Sequence, residues 1–138
     1  MIRAVIDTNI WISSLSSKSK SHWVVRSFLA EKFELIVSTG ILIEYEEKLR
    51  EKYSKPVVDD FLDAMDFAVN VIKTNPFYFW NLVPDDADDN KFSDCAISAG
   101  ADYLVTEDRD FDLLKQIDFP KVSVISMAEF KKILTKKS

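Results

Sequence analysis

Apolar residues fall into short runs and helical stripes that alternate along most of the chain. Residues 2–6, Ile-Arg-Ala-Val-Ile, form a β-branched run that stops at Asp7, the pattern of a short buried strand. Residues 9–15 read as a helix, and residues 21–31 as an amphipathic helix with Trp23, Val24, Phe28 and Leu29 on one side. Phe33 to Val37 is a second apolar run, closed by Ser38-Thr39, and Ile41, Leu42, Tyr45 and Leu49 then recur at helical spacing. A further helix is expected over 56–73. Pro56 suits its first turn, Phe61, Leu62, Met65, Ala68, Val69 and Ile72 repeat at helical intervals, and Asn75-Pro76 breaks the pattern.

The segment Phe77 to Val83 reads either as a strand or as an irregular apolar stretch. Pro84 to Asp89 is an acidic loop that leads into a helix with Phe92, Ala96 and Ile97 inward. Tyr103 to Val105 is a third strand, ending at Thr106-Glu107-Asp108, and Lys121 to Ile125 a fourth. A last helix runs from Met127 to Leu134, followed by a frayed Lys-rich end. Strands alternating with helices predict an α/β fold, a single domain over residues 1–138 whose central parallel sheet has helices on both faces.

Composition narrows the chemistry. With 47% hydrophobic and 30% charged residues, the chain has material for a core under a solvated surface, and disorder is not expected. One cysteine, Cys95, and one histidine, His22, exclude an internal disulfide and any Cys- or His-rich metal site. Cys95 reads as a small buried residue and His22 as a surface or helix-start residue. Only Gly40 and Gly100 are glycines, so the glycine-rich phosphate loops of nucleotide-binding folds are missing. No run is apolar enough to span a bilayer, and a charge follows the first short apolar stretch, so no membrane association and a cytoplasmic location are expected. The net charge of −5 opposes nucleic-acid binding unless the acids gather in one place. A divalent metal held there would reverse the local sign.

Several acids are placed to gather. Ligands of a parallel α/β sheet bind outside the carboxyl ends of its strands, and Asp7 and Asp108 end two of the expected strands. Asp88 and Asp89 sit at a helix start, where carboxylates are favoured, and Glu44 lies within an otherwise apolar helical face. Oxygen ligands of this kind suit Mg²⁺ or Mn²⁺. A receiver domain of the phosphorelay type would need an acid pair after the first strand and a phospho-acceptor Asp in mid-chain. A haloacid-dehalogenase-like phosphatase would need Asp-x-Asp where this chain has Asp7-Thr8-Asn9. Neither pattern is met.

Four segments together resemble a PIN domain. They are Val5-Ile6-Asp7-Thr8-Asn9, Glu44 in the helix after the second strand, Asp88-Asp89-Asn90-Lys91-Phe92, and Tyr103-Leu104-Val105-Thr106-Glu107-Asp108-Arg109-Asp110. The likeness covers essentially the whole chain and is nearest to the branch of VapC-type toxin components of toxin–antitoxin pairs. It implies an endoribonuclease that uses Mg²⁺ or Mn²⁺ at an acidic site, with a cognate antitoxin as partner and a homodimer as a common assembly. Carried over, Asp7, Glu44, Asp89 and Asp108 are the catalytic carboxylates, and these four with Asp94 are the metal ligands. Asp88, Asp89 and Asp94 compete for the third position. Asn9 would orient Asp7 or hold a water on the metal, Thr106 would brace the site, and Asn90 and Asp110 are accessory. Lys91 and Arg109 flank the acids as contacts to RNA phosphates. A non-catalytic PIN module that binds RNA or protein is the alternative. The aromatic run from Phe77 to Trp80 could stack on bases, but packing over a sheet edge or dimer interface is the favoured reading, since such runs are seldom exposed without a partner.

Overall fold

Ala4, Val5 and Ile6 have no exposed surface, although successive strand residues point to opposite faces of a sheet. The same holds for Leu35, Ile36 and Val37. Both faces of the central strands are therefore covered, as the unbroken apolar runs imply. The computed structural model describes residues 1–83 and 87–137, with Ala87, Asp88 and Lys137 described by their backbone alone. Pro84, Asp85 and Asp86 of the expected acidic loop lie outside the described residues, as does the side chain of Asp88.

The elements run β1 (Arg3–Ile6), α1 (Thr8–Ser14), α2 (Trp23–Leu29), β2 (Glu34–Val37), α3 (Thr39–Lys52), α4 (Lys55–Phe67), β3 (Val71–Lys73), α5 (Ala87–Ala99), β4 (Tyr103–Val105), a 3₁₀ helix (Arg109–Gln116), β5 (Val124–Ile125) and α6 (Met127–Lys137). The sheet is parallel throughout, in the order β3-β2-β1-β4-β5. From β1 the chain winds outward to β2 and β3, then returns through α5 to the other side of β1. The direction of winding thus reverses between β1 and β4, and open α/β sheets bind ligands at such a point, beyond the carboxyl ends of the strands. Asp7 follows β1 there, and Thr106 follows β4.

An aromatic cluster fills the core. Trp11 meets Phe61 at 5.1 Å, Phe28 at 5.9 Å and Tyr45 at 6.2 Å between ring centroids, and Phe33 meets Phe130 edge-on at 5.0 Å. Tilted and edge-to-face pairs of this kind add to the burial of their surface. Tyr45 also donates its hydroxyl to the Ile6 carbonyl, which ties α3 to the end of β1 just before Asp7. At the end of α5, Gly100 takes a left-handed φ of 62° and the Ala101 N–H donates to the Ala96 carbonyl. That turn favours glycine and feeds the chain directly into β4.

The helix expected over 56–73 is corrected. α4 stops at Phe67, Ala68 is extended, and Val71–Lys73 is the edge strand β3, the fifth strand of the sheet. Asn70 explains the break. Its buried amide donates to the Phe28 carbonyl at 3.0 Å and the Phe33 carbonyl at 2.9 Å, and its own carbonyl accepts from the Leu35 N–H at 2.8 Å. Three polar links to the α2–β2 region outweigh a helical pattern whose last apolar member in the break, Val69, is exposed. Asn70→Ala would remove two buried hydrogen bonds, although the Phe28 carbonyl keeps the Glu31 N–H, and should lower unfolding stability by about 2 kcal/mol, measured by urea denaturation. Other boundaries shift less: the strand expected at 121–125 shortens to Val124–Ile125, and α6 continues past Leu134 to Lys137. Residues 77–83 form neither helix nor strand, and in the single chain Phe77, Tyr78 and Phe79 are exposed and do not cover a sheet edge. Among the described residues, no helix is long and apolar enough to cross a membrane.

Candidate metal centre

Strand β1 ends by delivering Asp7 to the winding reversal. Its backbone N–H donates to the Val105 carbonyl at 3.0 Å, so β4 sets the height of the residue above the sheet. One carboxylate oxygen accepts from the Thr106 hydroxyl at 2.8 Å. That hydroxyl in turn accepts from the Asp108 N–H at 2.9 Å. Thr106 therefore fixes two acids at once, one on each side of the strand pair.

Asp108 begins the 3₁₀ helix and caps it. Its Oδ1 accepts from the Asp110 N–H at 2.9 Å. This Asx-type turn folds Asp110 back towards Asp108. Asp89, buried on α5, completes a group. One carboxylate oxygen each from Asp89, Asp108 and Asp110 lies within 4.8 Å of the others. Three oxygen ligands from carboxylates at this separation, with Asp110 open to solvent, fit a hard divalent cation such as Mg²⁺ or Mn²⁺ that keeps part of its water.

Glu44 reaches the same region from α3. It is half-buried, whereas Glu46 and Glu47 on the same helix are exposed. The Thr8 hydroxyl donates to its Oε2, and the Lys91 ammonium lies 2.8 Å from its Oε1. Electrostatics link the two sets of acids. Burial raises the Asp7 pKa above its ordinary 3.8, the Thr106 hydrogen bond opposes this, and the charges of Asp108 and Glu44 raise it further. The Asn9 backbone N–H favours the ionised form. Asp108 thus belongs to both groupings, as neighbour of Asp7 and as partner of Asp89 and Asp110.

The expected site residues are placed as follows. Asp7, Glu44, Asp89 and Asp108 converge at the carboxyl ends of β1 and β4. Asp94 is buried further along α5, where its Oδ1 accepts from the Trp80 N–H at 3.0 Å. Burial raises its pKa and that N–H opposes the rise. The Asp94 carboxylate thus fastens the segment after β3, and the three-acid group does not include it. Asn90 does the same work nearby: it accepts from the Val83 N–H and donates to the Val83 carbonyl, both at 2.8 Å. Asn9 is exposed at the start of α1, and Arg109 is exposed at the start of the 3₁₀ helix. Cys95 is fully buried, and burial pushes its thiol up to about 12, in keeping with a small inert residue.

Two features went unread in the sequence. Asp110 was expected only as an accessory acid and stands in the three-carboxylate group; its spacing of two from Asp108 is the signal, since that spacing suits an Asx turn. Thr8 was given no role and holds Glu44. Its position directly after Asp7 carries no signal by itself, because the contact depends on how α1 and α3 pack.

The sequence matches the PIN domain family over residues 3–110. No curated protein sequence matches it. Among solved structures, it is similar to a chain in the crystal structure of VapBC2 from Rickettsia felis bound to a DNA fragment from their promoter. The TM-score is 0.63 at 19% sequence identity, with 91% of this chain and 98% of that chain covered. At that identity the likeness concerns the fold, whereas the family match spans most of the sequence and takes in all the acids described above. The chain belongs to the PIN domain family.

Proposed function

We propose that this PIN domain is a Mg²⁺- or Mn²⁺-dependent endoribonuclease. The observation that carries the reading is the convergence of Asp7, Asp89, Asp108 and Asp110, with Glu44 beside them, at the point where the sheet reverses its winding. Four of these five acids are buried or half-buried, and so many desolvated carboxylates in one place need a counter-charge. Asp89, Asp108 and Asp110 would hold the ion, with Asp7 and Glu44 at its flank. When bound, such an ion supplies Lewis-acid activation of water and stabilises the charge that develops on a phosphate.

The protein's own groups do the rest. Thr106 aims Asp7 and favours its ionised form against the effect of burial. Lys91, beside Glu44, and Arg109, next in the chain to Asp108, would hold the oxygens of the phosphodiester. In the reaction the oxygen of water bonds to phosphorus, the bond to the 3′-oxygen breaks, and a proton ends on that leaving oxygen. The products are a 5′-phosphate and a 3′-hydroxyl. By likeness to the VapBC2 chain, a small antitoxin-type protein is the expected partner, covering the acids and blocking RNA.

Purified protein should cut a mixed structured RNA in the presence of Mn²⁺ or Mg²⁺ and not in chelator. Cutting that persists in chelator would overturn the metal-dependent reading. Absence of cutting under all conditions, with no effect of Mn²⁺ on melting temperature, would favour a PIN module that binds without cleaving.

A further inference from the structure

A pocket of about 410 Å³ opens beside the acids, between the first turn of α3, the side of α5 and the segment that follows β3. Lys91 joins the two places: it lines the pocket and its ammonium lies 2.8 Å from Glu44. The volume is near the lower end of small-ligand sites, which run roughly 300–1,000 Å³. It suits one planar ring system better than a peptide helix.

The walls have a legible chemistry. Asn75 accepts from the Thr39 N–H through its Oδ1 at 3.0 Å, which turns its amide NH₂ away from the backbone. Asn90 is fixed by its two bonds to Val83, so its Nδ2 must donate, and Asn81 must accept from it through Oδ1 at 3.1 Å. The NH₂ of Asn81 is thereby turned away as well. Both asparagines line the pocket, and each brings an amide donor whose orientation is dictated by its other bond. Phe79 also lines it and is 74% exposed, so the ring has a free apolar face. Gly40 opens the wall. A Cβ there would meet only Lys91 Cδ and Ser38 Oγ, each at 3.9 Å, so the backbone does not require glycine, and a longer side chain would enter the space.

We infer that this pocket takes one unpaired nucleobase of the RNA strand, adjacent to the phosphate that lies at the carboxylates. The inference rests on the nuclease reading above and deepens it. A planar aromatic face beside hydrogen-bond donors is how single-stranded RNA bases are held. The donors of Asn75 and Asn81 select base edges that carry acceptors. The shared Lys91 places the base one nucleotide or less from the acids.

Two measurements test it. Uridine, cytidine, adenosine and guanosine are titrated separately into ¹⁵N-labelled protein. At least one nucleoside should shift the side-chain amide signals of Asn75 and Asn81, and Gly40→Leu should abolish the shifts. In Mn²⁺, Gly40→Leu and Phe79→Ala should each raise KM for RNA about tenfold (about 1.4 kcal/mol) and flatten the base preference next to the cut. Phe79 is exposed, so its variant keeps the fold even if Gly40→Leu does not. Amide shifts without any cleavage would uphold the pocket and sink the nuclease reading. Metal-dependent cleavage with unaltered KM and base preference in both variants would overturn the pocket alone. No amide shift with any nucleoside overturns it too.

Discussion

Asp7→Asn should reduce metal-dependent RNA cleavage on the order of 10³-fold and at the same time raise the melting temperature in chelator. The two effects share a cause. Asp7 is buried beside Asp108 and Glu44, and its pKa lies above the ordinary 3.8. The folded state thus binds this proton more tightly than the unfolded chain does, so the ionised side chain costs folding free energy at neutral pH. Asparagine removes that cost and can still accept from the Thr106 hydroxyl. The advantage of the variant should be greatest above the folded pKa of Asp7. It should shrink as pH falls through that value towards 3.8, where the wild-type carboxyl is protonated in both states. Mn²⁺ should stabilise the wild type by mass action and the variant less. Calorimetric scans at several pH values, with and without Mn²⁺, decide the matter. Equal stabilisation of both proteins by Mn²⁺ would remove Asp7 from the ion's surroundings.

Thr106→Val should cost roughly 10–100-fold in activity or metal affinity, the usual penalty for losing a group that orients a ligand. The hydroxyl donates to Asp7 and accepts from the Asp108 N–H, so valine loosens both acids while keeping the shape of the strand end. Loss of the hydrogen bond that lowers the Asp7 pKa should let it rise further. The acid limb of the pH–rate profile should then move to higher pH, and Thr106→Ser should restore it. A loss of rate with an unmoved pH limb would mean that the threonine serves only the packing of β4.

How far these features could be read beforehand depended on whether local pattern or distant contact decided them. The three inner strands were legible because Ala4 to Ile6, Leu35 to Val37 and Tyr103 to Val105 are short apolar runs ended by polar residues, and covered parallel strands need nothing else. β3 was not. Val69 and Ile72 continue the stripe of α4, and what ends the helix is an asparagine bonding to carbonyls some forty residues earlier, at Phe28 and Phe33. Among the acids, Asp7 and Asp108 announced themselves at strand ends. What Asp94 meets was not legible: it sits near the other acids on α5, but an acid on a helix shows nothing of which backbone N–H it will meet, and Trp80 supplies that N–H. Asp110 looked like a turn residue and is one. The turn is what carries it to Asp108.

The bond between Thr106 and Asp7 spans 99 residues, and this has a consequence for the protein during its synthesis. Asp7 is translated early, while Asp89, Asp108 and Asp110 follow only after β2 and β3 have been laid down on the opposite side of β1. The strand pair that joins the acids is therefore the last of the inner pairs to close. A half-made chain holds Asp7 and Glu44 with nothing to complete them, and the full set of acids exists only once Asp110 has been added.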